Sequence, residues 1–130
     1  MLSALITADE DPNVRAEAAN ALASYGVERA WPLLRAAFEA DDAWLVRCSI
    51  LSVLAEQPAI DLGWLLELAT MAITDADGTV RVSGAEILSR IVREGGKLPI
   101  GEQARTLLQP LQQDGDHRVV AAVLNGLQVS

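Results

Sequence analysis

One short phrase recurs four times along this chain, and it constrains the architecture more than any other feature. Asp11-Pro12-Asn13-Val14-Arg15 leads into Ala18, Ala21 and Leu22. Asp42-Ala43-Trp44-Leu45-Val46-Arg47 leads into Ile50, Val53 and Leu54. Asp77-Gly78-Thr79-Val80-Arg81 leads into Gly84, Ile87 and Leu88, and Asp116-His117-Arg118-Val119-Val120 into Val123, Gly126 and Leu127. The anchor valines Val14, Val46, Val80 and Val119 stand 32, 34 and 39 residues apart. A period in that range marks stacked supersecondary units.

Each phrase reads as a helix start. Asp11 can accept from the free N–H groups of a first turn, and Pro12 fits the first helical position, where no N–H is needed. The apolar residues at +4, +7 and +8 from each valine keep a helical period. The valine helices are therefore expected over 12–24, 43–56, 78–93 and 117–128, with stops at Gly26, before Pro58 and at Gly95-Gly96. Partner helices are expected over 28–39, 61–74 and 100–113, and a two-turn helix within 1–8. Pro110 should distort or end the 100–113 helix early, and Pro32 is tolerable only in or near a first turn. Met1 to Ser130 then forms one domain of segments 1–26, 27–57, 58–95 and 96–130.

The chain is 51% hydrophobic but only 4% aromatic, which suits close-packed helices over a β fold. Its net charge of −8 and pI of about 4.5 argue against nucleic acid and anionic membranes as partners. No apolar run is long enough to span a bilayer. The first ten residues lack a basic stretch and turn acidic, unlike a signal peptide. Cys48 is the single cysteine, so no internal disulfide forms. These features point to a cytoplasmic protein.

An acid, then valine-arginine, then Ala-x-x-Ala-Leu resembles the HEAT repeat. The segment from Gly26-Val27-Glu28-Arg29-Ala30-Trp31 onward through Asp42 to Leu54, with Asn20 to Gly26 before it, is similar to the short HEAT-like repeats of phycobilin lyases. The resemblance implies an all-α fold, a right-handed α-solenoid (α-α superhelix) of about four helix pairs. It departs at Val120, where the arginine belongs, at Gly84, an alanine core site, and in the extra residue between Asp42 and Val46. Such arrays serve scaffolds, receptors, lyases and enzymes alike. The expected function is a non-catalytic protein–protein interaction module or scaffold. The alternative is an accessory or lyase/chaperone subunit acting on phycobiliproteins or bilin chromophores, a phycobilisome-related role.

Candidate binding residues fall in two places. Taking each valine as zero, positions +2, +6 and +9 point away from the partner helices, and in a HEAT array this is the concave face. They read Ala16, Asn20, Ala23; Cys48, Ser52, Ala55; Val82, Glu86, Ser89; and Ala121, Asn125, Gln128, with Glu86 the one charge. Asn20, Cys48, Ser52, Val82, Glu86 and Asn125 are the expected partner-binding residues there. Trp44, just before Val46, is a further candidate as an interface anchor, or else a local staple. The four turns before the valine helices hold Asp9, Glu10, Asp11, Glu39, Asp41, Asp42, Asp75, Asp77, Asp114 and Asp116, ten of the 18 acids. That edge reads either as a rail for a basic partner or as helix caps and solubilising charge. Arg15, Arg47 and Arg81 form a ladder; Arg15 and Arg81 stand four residues after Asp11 and Asp77, which favours acid pairing over phosphate binding. A short first helix and an apolar last helix also allow two copies to pair through terminal repeats.

Catalysis is not expected. His117 is the only histidine, and Gly95-Gly96-Lys97 lacks the rest of a phosphate loop. No Cys-His couple or metal-ligand cluster is apparent, and Asp75-x-Asp77-Gly78 does not fit a calcium loop. No cofactor or metal is therefore expected.

Overall fold

A computed structural model describes residues 10–128, and among them every regular element is helical. In chain order these are α1 (Pro12–Ser24), α2 (Val27–Ala40), α3 (Trp44–Ala55), α4 (Leu62–Ala72), α5 (Gly78–Gly95), α6 (Pro99–Leu108), a 3-10 turn (Gln109–Gln113) and α7 (His117–Gln128). The all-helical expectation holds. The helix expected within 1–8 lies outside the described residues.

Local chemistry sets the helix ends. Asp11 takes extended backbone at φ −85° and its carboxylate accepts from the Asn13 N–H at 2.9 Å, with Pro12 behind it. Asp61 caps α4 through the Gly63 N–H at 2.7 Å. Asp77 caps α5 through Thr79 and Val80 at 2.8 and 3.2 Å. Satisfying these free first-turn donors stabilises each start by about 1 kcal/mol. Asp42 does not cap α3: the extra residue there puts Ala43 at the cap, with no side-chain hydrogen bond. Gly26 at φ 122° turns the chain between α1 and α2, and Gly96 at φ 53° ends α5, conformations that a side chain disfavours. Before Pro110 the α-helix gives way at Leu108 to the 3-10 turn, because the proline ring clashes with the preceding turn. Pro32 lies inside α2 rather than in its first turn, since that helix already starts at Val27; it stands on the exposed side, where the lost N–H costs least.

The chain divides into two compact units, Met1–Ile60 and Asp61–Ser130. In the first unit α1 packs along α3, with α2 beside them. Leu34, Val46, Ile50, Leu51 and Leu54 are fully buried, and α1 contributes small residues, Ala18 and Ala19. Val14 is half-buried, unlike its counterpart Val46. In the second unit α5 is central and contacts α4, α6 and α7. Its core is Leu65, Leu68, Val80, Leu88, Ile91, Leu108, Val119 and Val123. Each such aliphatic side chain contributes about 1.5–3 kcal/mol on burial. Gly84, a departure from the repeat pattern, has a packing reason: a Cβ there would stand 2.8 Å from Ala72 Cβ and 3.3 Å from the Ile73 nitrogen. Glycine lets α5 close on α4.

Candidate functional site

The open faces of the valine helices form two grooves, one in each unit. Position +6 is exposed in all four helices: Asn20, Ser52, Glu86 and Asn125. Cys48 and Val82, at +2, are half-buried beside them, and Ala121 is exposed. The expectation for the whole set needs correction at Ala16, Ala23 and Ser89, which are buried. Ser89 shows why: its hydroxyl donates to the carbonyls of Ala85 at 2.9 Å and Ala122 at 3.3 Å, so +9 belongs to the seam between α5 and α7. Gly126 has no Cβ where one would meet the Ser89 hydroxyl.

In the first unit Asn20, Cys48 and Ser52 come together on a groove of about 550 Å³ between α1 and α3, completed by Ser24, Ser49, Val53, Glu56 and Gln57. Its chemistry is hydroxyls, amides and a thiol, with Glu56 the one charge. Cys48 is in no disulfide. In the second unit Val82, Glu86 and Asn125 share a groove of about 620 Å³ between α5 and α7. Arg93 and Arg118 line it too, and residue patterning had missed both. Arg93 follows Glu86 by two helical turns and was legible as its face-mate; Arg118 precedes its valine at the start of α7. Trp44 opens α3 and is half exposed, 50%, in neither groove. A third concavity of about 480 Å³, lined by Leu66, Thr70, Glu102, Gln103, Thr106 and Leu107, lies on α4 and α6 and had no sequence signal beyond their helical spacing.

The acidic turns are largely occupied by the fold. Asp41, Asp75 and Asp114 each accept from the N–H two residues on, at 2.9, 2.8 and 2.8 Å. Two of them also take arginines. Arg15 donates from Nε and Nη2 to the two Asp41 oxygens at 2.7 and 3.2 Å, and Arg81 does the same to Asp114 at 2.9 and 3.2 Å. Arg15 and Arg81 of the ladder are thus acid-paired, but these forked bonds reach acids of the following turn rather than the same-helix acids expected, because +1 on a valine helix points toward the next helix. Arg47 and Arg81 reach back as well, from Nη1 to the carbonyls of Asp41 at 2.7 Å and Asp75 at 2.9 Å. Hydrogen bonding by Arg81 holds the Asp114 carboxyl below the usual carboxylate range. The Arg118 guanidinium, then its N–H, lower Asp116 to about 2. Asp9 lies outside the described residues.

Among the described residues no three His, Cys, Asp or Glu side chains gather where they would hold a metal, and no helix is long and apolar enough to cross a membrane. A family model described as HEAT repeats matches residues 1–55, and no curated protein matches the chain. The family match covers the first unit's helices and supports a HEAT-repeat family, whose members are generally protein-interaction scaffolds.

Proposed function

We propose that this chain is a non-catalytic protein-binding module that receives a partner protein on the open face of its valine helices, in the cytoplasm. One observation carries the reading: Asn20, Ser52, Glu86 and Asn125, at one repeat position, are all exposed and line a groove in each unit. Small and polar residues there leave the backbone open to close approach. The acidic turns add a field that favours a basic partner, and copies pairing through the terminal repeats is a compatible assembly.

The test begins with affinity capture from the host and identification of the retained protein. Asn20→Arg combined with Ser52→Glu then places bulk and charge in the first groove at exposed sites. Capture should fall at least about tenfold, as expected when charge is misplaced at an interface, while the circular-dichroism melt stays unchanged. Undiminished capture by a folded double variant removes the reading. The bilin alternative keeps the resemblance of residues 26–54 behind it; an unshifted visible spectrum on mixing with bilin removes it.

A further inference from the structure

The two grooves use the same repeat positions but differ in charge, and the difference selects a ligand. The groove between α1 and α3 has no cation; the groove between α5 and α7 has Glu86 and Arg93 on one helix. Both are exposed, and neither has a salt bridge or side-chain hydrogen bond among the described residues. The nearby Glu94 is taken by Arg90 at 2.5 Å, and Arg118 by Asp116 at 2.8 Å. Seven residues of helix set Glu86 and Arg93 on one side, about 10.5 Å apart along the axis. Between them the floor is low, from Ser89, Ala121 and Ala122, with the Asn125 amide at the side. In a chain of net charge −8, an uncompensated arginine facing an uncompensated glutamate across an open floor is a fixed dipole.

We propose that this groove binds an extended segment of a partner protein carrying one basic and one acidic side chain three residues apart. A polyproline-II strand repeats its edge every three residues and rises about 9.3 Å over that interval, close to the spacing of the two charges. The basic side chain sits on Glu86 and the acidic one on Arg93, and the Asn125 amide is placed to bond the peptide backbone between them. The small floor is what admits a backbone at that depth. This rests on the protein-binding reading above, but addresses the second groove alone.

The experiment uses the full chain, isotopically labelled, and two end-capped probes, Lys-Pro-Pro-Glu and Glu-Pro-Pro-Lys, followed by amide NMR shifts at low salt. One of the two should shift Glu86, Ser89, Arg93 and Asn125 and bind about threefold to tenfold more tightly than the other, with added salt weakening it. Glu86→Arg combined with Arg93→Glu should exchange the preference between the probes. If neither probe moves these signals, if both bind alike, or if the charge-swapped variant keeps the original preference, the proposal is wrong. Binding only by a helical peptide with Lys and Glu seven residues apart also overturns the extended ligand. Because the readout is this groove and not partner capture, its failure leaves the first-groove test standing.

Discussion

Arg81 donates from Nε and Nη2 to Asp114 and from Nη1 to the Asp75 and Ala76 carbonyls, so one guanidinium joins the turn that opens its own helix to the turn that opens the next. Asp114 answers with one oxygen shared between that arginine and the Asp116 N–H. Charge-assisted, forked bonds of this kind are the stronger class, and the Asp114 side chain keeps only 10% of its exposure. Asp114→Asn should destabilise the protein by about 1–3 kcal/mol, measured by urea unfolding at pH 7. The pH dependence has a definite sign. A carboxyl whose folded value is lowered stabilises the fold above its unfolded value, near 3.9, and loses that contribution as pH falls through the folded value. The gap between wild type and Asp114→Asn should hold from neutral pH down to about pH 4 and close below it. Asp116, lowered to about 2, adds acid sensitivity in the same window. A gap that widens on acidification contradicts the clamp.

Helix α5 shows what a single element encodes locally and what it does not. Its start at Asp77 and its end at Gly96 follow from a capping carboxylate and a positive φ, both visible from residue type. The α1 bounds, Pro12–Ser24, and the α7 start at His117 were legible for the same reason: caps, prolines and glycines act over a few residues. Long-range closeness was not legible. Gly84 reads as a weak spot in a helix until Ala72 is seen against it, and Ser89 reads as an exposed polar residue until α7 covers it. The acids opposite Arg15 and Arg81 were likewise hidden, because their choice depends on which turn the next helix brings alongside. Gly84→Ala separates the two levels. Alanine gains about 1 kcal/mol of helix propensity, but overpacking a close contact costs about 1–3 kcal/mol, and here the neighbour includes backbone, which yields little. Net destabilisation is expected in thermal melts, whereas Gly115→Ala, where a Cβ meets nothing within 4 Å, should stay within about 0.5 kcal/mol. A stabilised Gly84→Ala would mean that α4 and α5 do not pack this closely.

At the scale of the molecule, each compact unit carries an arginine fork that ties one turn to a later one, Arg15 on Asp41 in the first and Arg81 on Asp114 in the second. The candidate site follows the same division, one groove per unit, and the repeat period made its exposed +6 positions legible, while Arg93 lies outside the repeated phrase and Arg118 fills a position before the valine that the other copies give to Asn13, Leu45 and Thr79. In repeat chains stability is close to a sum of local and neighbour contributions, and opening proceeds in contiguous units rather than everywhere at once. Breaking one fork should therefore loosen its own unit first. In amide hydrogen exchange, Arg81→Gln should speed exchange in α5, α6 and α7 about tenfold or more, the equivalent of losing about 1.4 kcal/mol, and leave α1 to α3 within about twofold. Arg15→Gln should do the reverse. The glutamine keeps length and polarity, so the change isolates charge and the forked geometry. Equal acceleration across both units from either variant would make the chain a single cooperative body, and the two forks would then be parts of one network rather than two local fasteners.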